Sequence, residues 1–214
     1  MQLSIQKIKS SLIIFLLMVL SSVQMQAQGT AEVWLNKATS ILQNKSSEIV
    51  FHFNGEGMHI NGKLLIDGPK FVYDTEEMKI WYDGTTQWTL QMGNGYNELY
   101  INSPTPEEQH AINPYLLLNS YKEYFTVTDG GEKIIGGKPA HVVILKANDE
   151  DHEPNNASIY ILSDGTLAAL EIIAPNDQLY KIEVRSMRSG LTFPKDNFTY
   201  PAKEYPADEV IDMR

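Results

Sequence analysis

The 214-residue sequence predicts a mainly β protein built on one strongly curved antiparallel sheet. Seven Asx-Gly pairs supply the positive φ angles that tight hairpin turns need. Between the pairs, short runs alternate apolar and polar side chains, as in Trp88, Leu90 and Met92. Helical periodicity is scarce. The seven pairs are Asn54-Gly55, Asn61-Gly62, Asp67-Gly68, Asp83-Gly84, Asn94-Gly95, Asp129-Gly130 and Asp164-Gly165.

The first 27 residues are typical of a secretory signal peptide. Lys7 and Lys9 precede a nine-residue apolar run, and Ala27 stands at a plausible cleavage position. That run is too short to cross a membrane, which takes about 20 residues. We therefore expect a signal peptide over 1–27 and one exported domain over 28–214, soluble in the periplasm. Its formal charge is 15 − 27 = −12, since the signal removes two of 17 basic residues and none of the 27 acids.

The predicted elements follow from residue spacing. Val33, Leu35, Ala38 and Leu42 recur at helical intervals and predict an N-terminal helix. Two short helices are expected in mid-chain, starting near Pro106 and at Asn113-Pro114. Eleven strands are predicted at 48–53, 62–66, 70–74, 78–82, 87–92, 97–102, 125–128, 140–147, 157–163, 167–173 and 179–187. So many strands favour a curled sheet, here an incomplete barrel of roughly eleven strands.

Composition and motifs argue against several classes of function. The acidic balance is opposite to that of a nucleic-acid-binding protein, and the absence of cysteine excludes thiolate metal sites and a lipid-accepting cysteine. No nucleotide-binding or hydrolase motif occurs. His52 and His59 could approach each other on neighbouring strands, but no third metal ligand is evident. The acidic stretch 148–156 lacks the ligand spacing of a calcium loop. The sequence thus predicts neither an enzyme nor a cofactor.

Several segments, in order and spacing, resemble the LolA family of periplasmic outer-membrane lipoprotein carriers. After the helix come SSEIVFHF at 46–53, GKLLI at 62–66 and GPKF at 68–71. The hairpin IWYDG at 80–84 with Trp88, then Asn113-Pro114 before a leucine run, are similar to family features, as is the C-terminal stretch from Phe193 to Asp212. The family's early-strand arginine, which holds its lid shut, has no counterpart, because the arginines are Arg185, Arg188 and Arg214.

The resemblance implies an incomplete barrel with an apolar concave face, covered by lid helices and occupied by acyl chains. Because side chains alternate across a strand, we expect one apolar set to line that face. Lid residues Pro114, Leu117 and Leu118 should close over it. The predicted lining consists of Phe51, Phe53, Phe71, Tyr73, Trp88, Leu90 and Met92.

The resulting hypothesis is a monomeric carrier of lipoprotein acyl chains or lipid, without cofactor, metal or nucleic acid. Its other partners would be an inner-membrane release complex and an outer-membrane acceptor. Two alternatives remain open at this point: a general binder of lipids or other hydrophobic ligands, and an envelope sensor that binds a partner protein through the same fold.

Overall fold

The computed structural model describes residues 30–93, 95–105, 121–149, 155–173 and 178–214. Helix α1 spans 30–44, and a helical turn occupies 121–124. The strands are β1 (Ser47–Gly55), β2 (Met58–Asp67), β3 (Lys70–Thr75), β4 (Met78–Tyr82), β5 (Gln87–Gly93), β6 (Tyr96–Asn102), β7 (Phe125–Ile135), β8 (Lys138–Ala147), β9 (Asn156–Leu162), β10 (Leu167–Ile173), β11 (Leu179–Ser189) and β12 (Glu209–Asp212). A 3-10 turn spans Lys195–Phe198.

All twelve strands form one sheet in the order β12-β6-β5-β4-β3-β2-β1-β11-β10-β9-β8-β7. Neighbours are antiparallel except β12, which runs parallel to β6. The sheet is open, with β12 and β7 at its two edges. The predicted fold class, a single curved antiparallel sheet with an N-terminal helix, is confirmed. The twelfth strand escaped prediction because its four residues are too few to show an alternation and Val210 is exposed.

The sheet bends around α1. One apolar cluster joins Leu35, Ala38 and Leu42 of the helix to seven consecutive strands, from β2 to β7 in sheet order. Laid flat, seven strands would span about 29 Å, more than twice the diameter of a helix. The side that faces α1 is therefore the concave face, and we call the opposite side the outer face. One cluster residue from each of these strands, in sheet order, is Ile66, Ile49, Val184, Leu170, Ile159, Val143 and Val127.

Polar contacts hold α1 over the β7–β11 half of the concave face. Trp34 stacks on His141 of β8 at 5.0 Å between ring centroids, and Lys37 Nζ donates to the Ser163 carbonyl at 2.5 Å. The Tyr121 hydroxyl donates to Asn36 Oδ1. These contacts therefore place α1 over the β7–β11 half of the concave face and not over the β3–β6 half. No helix among the described ranges is long and apolar enough to span a bilayer.

Three Asx-Gly pairs do not form the predicted turns, and the first of them, Asn54-Gly55, is the last two residues of β1. Asn61-Gly62 lies inside β2, and Asp129-Gly130 lies inside β7 at a break in the register between Asp129 and Glu132. The first hairpin turns instead at Glu56 and Gly57, which both have positive φ. An Asx-Gly pair indicates a backbone with few steric restrictions. Such a backbone can form a β-bulge, or allow a neighbouring side chain to approach closely, as well as form a turn.

The C-terminal segment covers the outer face of β3–β6. Phe198 is 1% exposed and packs with Val72, Trp81, Leu90 and Leu99. Further aromatic contacts come from Tyr200 and Tyr205, whose rings lie 5.4 and 5.7 Å from that of Trp81. Strand β12 then adds to the edge beside β6. The molecule thus has two apolar layers, one under α1 and one under the C-terminal segment.

Candidate functional site: the concave face between β1 and β6

Aromatic rings line the concave face next to the α1 cluster. The pairing register places Phe51 of β1, Phe71 and Tyr73 of β3, and Tyr82 of β4 on this side. Phe51 stacks on Tyr73 at 5.7 Å, and Phe71 packs on Tyr82 at 5.5 Å. We call these four residues the aromatic floor. Phe51, Phe71 and Tyr82 are buried, and Tyr73 is half-buried.

Gly62 makes room for the floor. It faces Phe51 across the β1–β2 pair, and a Cβ built on Gly62 would stand 2.3 Å from Cζ of Phe51. Real Cβ atoms do not tolerate that distance, so Phe51 can lie flat over β2 only because Gly62 has no side chain. Phe53, two residues further along β1, stacks on Tyr180 of β11 at 5.9 Å and extends the aromatic surface toward the other half of the sheet.

The seven residues predicted to line the concave face are divided between the two faces. Phe51, Phe53, Phe71 and Tyr73 share the concave side, whereas Trp88, Leu90 and Met92 point to the outer face. The expectation of a common lining is wrong for β5, because Leu90 is fully buried in the cluster beneath Phe198. The alternation along β5 is as predicted, but its apolar side faces the C-terminal segment. The lid residues Pro114, Leu117 and Leu118 lie outside the described residues.

The concave side of β5 and β6 is polar instead. Gln87, Thr89 and Gln91 of β5 lie across from Asn102, Tyr100 and Glu98 of β6. We call these six residues the polar strip. Gln87 Nε2 donates to Thr89 Oγ1 at 3.2 Å, and the Tyr100 hydroxyl donates to Glu98 Oε2 at 2.7 Å. The Gln87 Oε1 atom is buried and makes no hydrogen bond within the described part of the chain. The concave face therefore pairs an aromatic half with a hydrogen-bonding half.

A cleft of about 570 Å³ opens at the end of this face, where the β3–β4 and β5–β6 turns meet. Such a volume lies within the usual range of ligand sites, about 300–1,000 Å³. Tyr73 belongs to both the floor and the cleft, so the two are continuous. The cleft is lined by His59, Ile60, Asn61, Tyr73, Thr75, Glu76, Glu77, Met78, Gln91, Met92, Gly93, Tyr96 and Glu98.

The charge on the concave side of strands β1–β6 is negative. Of the strand positions that the register places on the concave side of β1–β6, none is Lys or Arg, and Glu98 carries the single carboxylate. The lysines of β2 and β4, Lys63 and Lys79, both pair with Asp74 on the outer face. Burial raises the pKa of Tyr73 and that of Tyr82, so both floor hydroxyls stay neutral. The hydrogen bond to Glu98 raises the pKa of Tyr100.

Sequence reasoning missed Tyr82, Ile80 and the polar strip. Ile80 and Tyr82 alternate with Lys79 and Trp81, so both parities of β4 carry large apolar groups and alternation alone cannot choose between them. On β5 the sequence pattern predicts that the more apolar set of alternating side chains faces the ligand. The signal that could have corrected it is the aromatic C-terminal segment, because Phe193, Phe198, Tyr200 and Tyr205 need an apolar outer face to cover.

The two predicted neighbours His52 and His59 do approach each other, with parallel rings 6.1 Å apart. His52 Nδ1 lies 3.0 Å from Asn61 Oδ1. Within the described ranges no three His, Asp or Glu side chains are grouped as metal ligands.

The open sheet curved around a helix, with a partly aromatic concave face, defines a half-barrel class of protein. Residues 20–139, more than half of the sequence, match the family model described as outer membrane lipoprotein carrier protein LolA. The chain belongs to this family. No curated protein matches the sequence significantly.

One solved structure shares the fold at low sequence identity, and others align with lower scores. An uncharacterized conserved protein from Thermus thermophilus aligns with a TM-score of 0.58 and 11% identity, covering 86% of this chain and 99% of that one. A chain of the MucA/MucB complex of Pseudomonas aeruginosa aligns at 0.47, with 14% identity and coverages of 81% and 62%. A LolA superfamily protein from Nitrosomonas europaea aligns at 0.40, with 11% identity and coverages of 79% and 97%. The chain spans about three fifths of the MucB chains that it matches.

Proposed function

We propose that the protein is a carrier that shelters the acyl chains of lipoproteins on the concave face between β1 and β6 and moves them toward the outer membrane. The observation that carries this proposal is the aromatic floor, which continues through Tyr73 into the cleft. Membership of a family described as lipoprotein carriers supports it. No chemical step is needed for this role, so the protein acts by binding and not as an enzyme.

The physical reason for a carrier is the cost of exposing hydrocarbon to water. Each methylene that leaves water contributes about 0.8 kcal/mol, so an anchor with two or three chains needs an apolar shelter outside the membrane. Aromatic rings suit this purpose because they supply large, stiff contact surfaces. Transfer at both ends would require an inner-membrane release complex and an outer-membrane acceptor.

Binding of a lipidated peptide to floor variants tests the proposal. Replacing Tyr73 by Glu places a carboxylate next to Phe51, at the boundary between the aromatic floor and the cleft. An acyl chain and a buried charge exclude each other from such a site. We expect affinity to fall by at least about tenfold. Ile80→Gln, a milder change on the same face, should lower affinity in the same direction if Tyr73→Glu disturbs folding.

The matched control is Thr128→Glu, an exposed position on the edge strand β7. It adds the same charge far from the floor and should bind as the unchanged protein does, with circular dichroism confirming the fold of each variant. Equal affinity of all four proteins would refute the proposed site. Binding of free lipid but not of a lipidated peptide would favour a general lipid carrier over a lipoprotein carrier.

Export forms part of the same proposal. Loss of residues 1–27 in the envelope would produce the periplasmic domain of 28–214. Intact-mass measurement on protein recovered from the native envelope should show that truncation, and a full-length chain embedded in the membrane would contradict it.

A further inference from the structure

We propose that the ligand of this face carries a cationic ammonium group beside its hydrocarbon chain. The inference rests on the proposed function and adds to it the chemistry of the ligand's polar end. The hydrocarbon would lie on the aromatic floor, and the ammonium group would meet the polar strip at the mouth of the cleft.

The cleft itself is shaped for an amphiphile. Ile60, Tyr73 and Met78 supply its apolar lining, and Gln91 and Glu98 of the polar strip lie beside them on the same face of the sheet. Gln91 and Glu98 face each other across the β5–β6 pair. A chain that lies along the floor toward Tyr73 would therefore place its head group between these two strands.

The charges at the cleft select the sign of that head group. Glu76, Glu77 and Glu98 are its charged lining residues apart from His59. No ion pair joins any of the three carboxylates to a basic side chain in the parts of the chain that the structure describes. An anionic head group would find no basic partner there, whereas a cation would satisfy carboxylates that have none.

The hydrogen-bonding groups point to the same chemistry. An ammonium group has three donors and no acceptor, so it needs oxygen acceptors around it. At the cleft the polar strip offers the carboxylate of Glu98 and the side-chain oxygen of Gln91, which face each other across the β5–β6 pair.

The nearest lysines cannot reverse this preference. Lys63 and Lys79 lie on strands of the same half-barrel, but alternation directs both to the outer face. There they flank Asp74, and Lys79 also lies over the ring of Tyr205 at 5.0 Å. Reaching the concave side would require a shift of strand register and would break the pairs on both neighbours.

Three twelve-carbon probes of different charge test the inference: dodecylammonium, monolaurin and dodecanoate, each below its micelle concentration at pH 7 and low salt. By calorimetry we expect dodecylammonium to bind at least about tenfold more tightly than dodecanoate, with neutral monolaurin between them and the difference shrinking at high salt. Equal binding of all three would overturn the inference while supporting the proposed function. Failure of all three to bind would overturn both.

Variants assign the preference to the carboxylates. In the triple variant Glu76→Gln, Glu77→Gln, Glu98→Gln, the ratio of the two affinities should fall below about threefold, since the amides keep the size and lose the charge. The control Glu132→Gln removes one exposed carboxylate on β7 and should leave the ratio unchanged. A ratio unaffected by the triple variant, or lowered equally by the control, would contradict the assignment.

The ammonium group could belong to an aminolipid or to the peptide of a lipoprotein. One comparison sets phosphatidylethanolamine against its trimethylated analogue, phosphatidylcholine. The other sets a lipidated peptide with a free amino terminus against its acetylated form. Tighter binding of the free amine in either pair supports the inference and identifies the source; no difference in both pairs refutes it.

Discussion

The ring of Phe51 lies against the α-carbon of Gly62 on the neighbouring strand, closer than any side chain at position 62 would allow. This contact lets Phe51 stack on Tyr73, and Tyr73 opens into the cleft. A single glycine in mid-strand therefore shapes the surface on which the proposed ligand lies.

Gly62→Ala should push Phe51 off β2, because the added Cβ would stand 2.3 Å from its ring. We expect a loss of about 1–3 kcal/mol in unfolding free energy, typical of overpacking, together with weaker binding of a lipidated peptide. Gly93→Ala is the control, since nothing lies within 4 Å of the added Cβ there. Urea unfolding of both variants decides the matter: equal stability would show that the Phe51 contact is not constrained.

Leu90→Ala should separate stability from binding. Leu90 is fully buried on the outer face, so its truncation should cost about 2–5 kcal/mol in unfolding free energy. Because the floor lies on the other side of the sheet, affinity for a lipidated peptide should stay within about twofold of the original. Ile80→Ala, on the concave side of β4, should do the reverse and weaken binding more than folding. A large loss of affinity with Leu90→Ala alone would invert the assignment of faces.

Phe198→Ala tests whether the C-terminal segment is an integral part of the fold. Phe198 is 1% exposed and packs edge-to-face with Phe193 at 5.7 Å. Its truncation should cost about 3–5 kcal/mol, as for other buried aromatic residues, and lower the thermal midpoint. The adjacent exposed Thr199→Ala should stay within about 0.5 kcal/mol of the original protein. Similar melting curves for both variants would show that the segment is only loosely attached.

Acid should weaken the β9–β10 turn. Hydrogen bonds from the Thr166 hydroxyl and backbone N–H lower the pKa of Asp164 below its ordinary value of 3.8. Because the folded pKa lies below the unfolded one, this stabilisation is present above the unfolded pKa and is lost as pH falls through the folded pKa. Asp164→Asn should thus be less stable than the original at pH 7, with the difference shrinking toward pH 2. A gap that is constant with pH would argue against ionisation as its source.

The sequence predicted the fold well because the signals for it are local. Eleven strands and α1 follow from alternation and helical spacing, and four residues of the predicted lining do share the concave face. The errors arose where a distant segment decides the outcome. Phe198, more than a hundred residues away, determines which face of β5 is exposed to solvent. No local pattern around Leu90 indicates that contact.

Direct mapping of a bound acyl chain tests the central claim. A lipidated peptide with a photoactivatable diazirine in its acyl chain can be irradiated on the protein, and the attachment sites read by peptide mass spectrometry. We expect attachment on the concave side of β1–β4, at Phe51, Tyr73, Ile80 and Tyr82, with Trp88 and Leu90 of the outer face unlabelled. Attachment concentrated at Trp88 and Leu90, or none above that of a non-acylated diazirine peptide, would contradict that claim.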